Sequence, residues 1–245
     1  MRRTFFCFPR LVCAVIFCAG VLLHAQDGAV IDVEKPAVEK SGGEKPIDQQ
    51  RVLGVLPNYR TADGTQPYEP ISAKKKMTIA AKDSFDWPVY LISGGFAGLY
   101  QLDDQNPSFR QGMKGYAKRY AASYGDQAMG NLMTEGLIPA AFHQDPRYFR
   151  LGAGGGATRH RLAYALTRVI VGKNDKGAWR FNSPEWVGNA AAVAISNVYY
   201  PEDTRNAADN SAKLMIAVGT DAFSNVLKEF WPDWKRKLVK TKTPN

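Results

Sequence analysis

From residue 83 onward, apolar positions recur at spacings of three and four, and strict alternation is never sustained. That pattern predicts helices. Asp86 ahead of Trp87-Pro88 is a capping carboxylate before a proline that a first turn tolerates, and it starts a helix over 87–102. The uncharged stretch 87–100 suits a buried helix, with Gly94 and Gly98 as a small face for close helix contact. Asn106-Pro107-Ser108 opens a second helix to about 123, whose Lys114, Lys118 and Arg119 extend over Tyr116 and Tyr120 into solvent. A third, over 126–142, places Ala128, Met129, Leu132, Met133 and Leu137 opposite Gln127, Asn131, Thr134 and Glu135, and Pro139 bends its end. A fourth spans 158–171 with Leu162, Ala165, Leu166, Val169 and Ile170 inward and Arg159, Arg161 and Arg168 outward. After a turn at 173–177, residues 178–181 form a short strand or coil. Ser183-Pro184-Glu185 starts the fifth, 184–199, which is small or apolar nearly all round and is expected at the centre. Asp203 or Thr204 caps a sixth that Pro232 ends.

Upstream of residue 83 this order is absent. Arg2, Arg3 and Arg10 precede an apolar run over 11–23, and Leu23-His24-Ala25 provides a small residue at a cleavage position. The run is shorter than the ~20 residues of a spanning helix, so 1–25 reads as a secretory signal peptide. Residues 26–82 are rich in Glu, Lys, Pro and Gly and read as a disordered linker. One island, 51–61, carries Val52, Leu53, Val55, Leu56 and Tyr59, enough to dock as an extended strip or serve as a recognition peptide. The expected fold class is all-α: a single compact domain of about six helices over 83–234, followed by a basic tail over 235–245.

Composition narrows the function classes. All three cysteines lie in the leader, so the exported chain has no thiol for a disulfide, a zinc site or a nucleophile. The chain holds 32 Lys and Arg against 23 Asp and Glu, and three of the arginines leave with the leader. The remaining excess gathers at Lys74-Lys75-Lys76 and in the tail, suited to solvation or to weak attraction to an anionic surface. Nucleic acid is a poor partner for an exported chain, and a membrane surface or another envelope protein is the expected one. Residues 152–156 are glycine-rich but lack the Lys-Ser/Thr ending of a phosphate loop.

Two constellations carry candidate chemistry. Asn131 and Glu135, Glu185 and Asn189, and Asp221 and Asn225 each place an acid and an amide one turn apart on a helix face, and Asn197 extends the fifth helix's stripe. Such stripes build either an interhelical hydrogen-bond network or a carboxylate metal site; no Glu-x-x-His motif is present, no metal or cofactor is expected, and the network is favoured. His143, Asp145 and Arg147 are the candidate base, orienting carboxylate and anion clamp, but no serine or cysteine nucleophile accompanies them. The structural alternative is a turn whose arginine pairs with a helix carboxylate.

LGVLPNYRT (53–61), KDSFD (82–86), HQDPRYFR (143–150), GNAAAVAISNVYYP (188–201) and NVLKEFWPD (225–233) together resemble a family of uncharacterised exported bacterial proteins. The resemblance implies export and a shared fold, assigns no catalytic residue, and marks the 51–61 island as more than linker. The reading is an exported helical protein of the periplasm or cell envelope, with a binding or scaffolding role.

Overall fold

The computed structural model describes residues 60–240. The leader, the linker up to 59 with most of the 51–61 island, and the last tail residues lie outside the described residues. In chain order the elements are β1 (Thr61–Asp63), α1 (Ala73–Ser84), α2 (Trp87–Leu102), α3 (Gly112–Asn131), a π-helical segment (Leu132–Leu137), α4 (Ile138–Ala141), β2 (Gln144–Asp145), β3 (Tyr148–Arg150), α5 (Thr158–Thr167), β4 (Val171–Asn174), β5 (Trp179–Phe181), α6 (Ser183–Ser196) and α7 (Ala207–Lys240). The domain is mostly helical, as its periodicity predicts. β1 pairs in parallel with β3, and β2, β4 and β5 form a small antiparallel sheet.

Several boundaries differ from expectation. Helical structure begins before residue 83: Ser72 caps α1 by accepting from the Lys75 amide at 3.2 Å, and Lys76, Ile79, Ala80, Asp83 and Ser84 are buried. The second and third expected helices are one continuous rod, α3 through the π segment into α4. Gly125, at the expected break, instead allows close packing, since a Cβ there would lie 3.2 Å from the Tyr199 ring. α7 passes through Pro232. Proline cannot donate to the carbonyl four residues back, that of Lys228; the next carbonyl, that of Glu229, accepts from Arg150 Nε at 2.9 Å and Arg161 Nη2 at 3.0 Å.

The π segment sits at the centre, gripped by two glycine contacts. A Cβ on its Gly136 would lie 2.9 Å from Met77 Sδ and 3.0 Å from Ala80 Cβ on α1. A Cβ on Gly188 of α6 would lie 3.0 Å from both Thr134 Cα and Cγ2. At Gly188 the neighbours include backbone atoms, so a larger side chain there requires a helix to move, whereas at Gly136 the Met77 side chain can yield and Ala80 must give by a few tenths of an ångström. The wide turn places Thr134, Glu135 and Gly136 in the interior.

The interior is polar. Among the described residues, the buried set has 12 hydrophobic members, five of them alanine, against 16 polar or charged ones, so hydrogen bonds and ion pairs specify the packing as much as apolar contact does. Three expected surface cations are inside. Lys76 donates to the Asp175 carboxylate at 2.7 Å and to the Pro139 carbonyl at 3.2 Å. Arg119 donates to the carbonyls of Gln105 and Arg110 and to Gln101 Oε1, pinning the loop before α3. Arg161 faces α7, and Leu166 and Ile170, expected inward, are exposed. α6 likewise buries Pro184 and a stripe of Glu185, Gly188, Asn189, Ala192 and Ser196 and exposes Val187.

α2 departs furthest from its expected place. It buries Pro88, Ser93 and Ala97 and packs Gly94 against Tyr116 and Tyr120 of α3. Nothing approaches a Cβ at Gly95 or Gly98, so the Gly94/Gly98 pair does not form a helix contact. Leu91, Ile92, Leu99 and Leu102 point outward, Leu102 at 84 % exposure.

Candidate functional site

An ionic cluster ties β1 to the helices. Arg60, next to β1, reaches Asp83 of α1 through Nε at 3.2 Å and Glu135 of the π segment through Nη1 at 2.6 Å. On the facing side, Asn189 of α6 donates to Glu185 Oε1 at 3.0 Å and lies 3.5 Å from Asp221 Oδ2 of α7. Lys228 of α7 is buried between these groups.

Four carboxyl groups thus share two cations, Arg60 and Lys228. An ionised carboxylate without compensation is costly in such a place, so some of the acids hold protons. Glu135 is pushed well above the ordinary carboxylate range, first by burial and further by Asp83 beside it, against the pull of Arg60. Glu185 is raised in the same way by burial and by its contact with Asp221, with Arg60 and Lys228 opposing. Lys228 falls to about 8, through burial and then repulsion from Arg60.

The acid–amide stripes are therefore partly one network. Glu185, Asn189 and Asp221 meet, and Asn225 lines the same cavity. Glu135 joins through Arg60, not through Asn131, because no hydrogen bond from an amide reaches its carboxylate. Asn197 lies apart at the end of α6 with its Oδ1 buried and unpaired. The acids do not converge as metal ligands: among the described residues no group of three or more His, Cys, Asp or Glu side chains has that geometry. Side-chain cations occupy the space between the two acid pairs.

The candidate acid–base pair is not assembled. His143 adopts a left-handed φ of 52° that leaves its side chain 85 % exposed, 3.8 Å from Asp175 and not from Asp145. Asp145 accepts from Arg147 Nη2 at 2.7 Å and from the Tyr68 hydroxyl at 3.0 Å. Arg147 thus pairs with its strand neighbour instead of a helix carboxylate, and its Nη2 also donates to the Glu69 carbonyl.

A second polar knot centres on Glu229 of α7, which the sequence reading missed. Its carboxylate accepts from Tyr148 Oη (2.8 Å), Arg161 Nε (2.8 Å), and the backbone amides of Leu151 (3.1 Å) and Gly152 (3.0 Å). Asp233, one turn on, takes Arg161 at 2.6 Å and Arg150 at 3.0 Å. The available signal is the pair Lys228-Glu229 inside the apolar run NVLKEFW, where charge has no solvent face to occupy.

Between the two knots opens a cleft of about 50 Å³. Arg60, Glu185, Asp221, Asn225 and Lys228 form its inner end, and Arg147, Arg168, Lys173 and Trp179 its outer end. Arg168 stacks on Tyr164 at 4.2 Å and on Trp179 at 4.4 Å, and Lys173 lies over Phe149 at 4.1 Å and Trp179 at 5.0 Å. No protein-family model matches the chain, nor does any curated protein or solved structure.

Proposed function

We propose that the protein is an exported component of the bacterial envelope that acts by binding, and that it sits on an anionic membrane surface through α2. The outward face of α2 carries this reading. Leu91, Ile92, Leu99 and Leu102 are exposed on a helix without a charged residue, with Trp87 and Tyr90 at its start and Phe85 just before it. Among the described residues no helix is long and apolar enough to cross a membrane, and a 16-residue uncharged helix suits burial in the interface. Aromatic side chains at one end fit the headgroup boundary. The exposed Lys114 and Lys118 on the neighbouring α3 supply attraction to anionic lipid. The signal-peptide pattern and the five motif stretches support export.

The test is vesicle flotation. The protein is expected to float with phosphatidylglycerol-containing vesicles, less with neutral ones, and a Leu91→Ser/Leu99→Ser/Leu102→Ser variant is expected to stay at the bottom with its helical spectrum intact. If the wild-type protein fails to float, the membrane reading is wrong; if it is a dimer that the triple variant splits, α2 is a contact between copies.

A further inference from the structure

We propose that the cleft between the two polar knots is a binding site for an oxyanion, the carboxylate or phosphate of a small molecule. Its walls hold more positive charge than their carboxylates balance. Arg147 is matched by Asp145 and Arg60 by its acid pair. Arg168 and Lys173, both facing the cleft, have no ion pair among the described residues, and Lys228 at the inner end is set against Asp83, Glu135 and Asp221.

Each of these three is also made easier to deprotonate, by burial before any neighbouring charge. They are not free to swing away: aromatic rings hold Arg168 and Lys173 in place. The donors are therefore fixed before a ligand arrives, which lowers the ordering cost of binding.

Size and the remaining lining select the ligand. About 50 Å³ admits one small polyatomic group, since a cavity needs only ~10–15 Å³ on the same measure to hold a single water. Trp179 and Phe181 project from the same side of β5 and are half-exposed. They give the part of the ligand outside the cleft an aromatic surface.

Titration with inorganic phosphate and, separately, with acetate tests this at constant ionic strength, read by tryptophan fluorescence and by melting temperature. One of the two anions is expected to bind saturably and raise the melting temperature, and which one does so separates a phosphate from a carboxylate site. Binding is expected to be weaker at pH 9 than at pH 7, because Lys228 with a pKa of about 8 loses its charge. Lys173→Gln and Arg168→Gln should each lower the affinity about tenfold or more, the usual loss of a charge-assisted hydrogen bond, and Arg159→Gln, exposed on α5 and outside the cleft, should leave it unchanged. Lys228→Met serves as a third cleft variant if either of the first two fails to fold. If neither anion gives a saturable shift with the wild-type protein, or the cleft variants bind as the wild type does, the site does not exist.

Discussion

Glu229→Ala is expected to lower stability by about 3–5 kcal/mol, the loss found when a buried ion pair is broken from one side. Glu229 is fully buried and accepts four hydrogen bonds, two of them from the backbone amides of Leu151 and Gly152. Its removal also leaves Arg161 with Asp233 as the one remaining carboxylate of its pair. Glu229→Gln retains a carbonyl acceptor and should lose less. Pairing Glu229→Met with Arg161→Met should cost less than the two single changes together, because the second change removes the stranded charge. Urea denaturation measures all five variants. A Glu229→Ala protein within 1 kcal/mol of the wild type would show that the knot does not hold α7 to β3 and α5.

Arg60→Ala should match that loss, again about 3–5 kcal/mol for a buried pair deprived of one partner, and its size should depend on pH. In the native protein Glu135 and Glu185 keep protons that the unfolded chain releases near the ordinary value of 4.5. Above that pH, up to their raised native values, the folded state binds more protons than the unfolded one, so stability falls as pH rises. Lys228 acts in the opposite direction: between about 8 and its ordinary 10.5 the unfolded chain binds the extra proton, and stability rises with pH there. Without Arg60, the Asp83–Glu135 pair has lost the cation that opposes protonation, and acid compensates for the missing charge. The defect is therefore expected to be smaller at pH 5 than at pH 8 in thermal melts across a buffer series. An equal loss at both values would mean that Arg60 acts by packing and not by balancing these acids.

Helical periodicity located the rods well, because spacing reports which residues share a face. It does not report what medium that face meets. Arg119 and Arg161 read as surface residues, since long charged side chains usually reach solvent. In the fold their guanidinium groups find fixed carbonyls and carboxylates, and leucines take the exposed positions instead. The Glu185–Asn189 contact was legible because its partners lie one turn apart. The Arg161–Glu229 contact was not, for its partners are 68 residues apart and no local pattern joins them. His143 and Asp145 show the reverse error: nearness in sequence implied a pair that a left-handed residue at 143 turns away. The π segment left no composition signal, so the sequence alone places Glu135 on an ordinary helix over 126–142.

Arg60 is the cation at the centre of the helical interior, yet it is carried by a strip outside the helices, held to them by the three-residue pairing of β1 with β3. In effect the strip is a ligand of its own domain, kept at high effective concentration by the chain that joins it to α1. A helical fragment starting at residue 70 would carry the acids of the cluster with only Lys228 to offset them. Complementation in trans is the consequence: a separate peptide spanning 51–66 would find a strand edge waiting at β3 and a charge deficit behind it, and any other chain that presents an arginine next to a short extended segment would compete for the same berth.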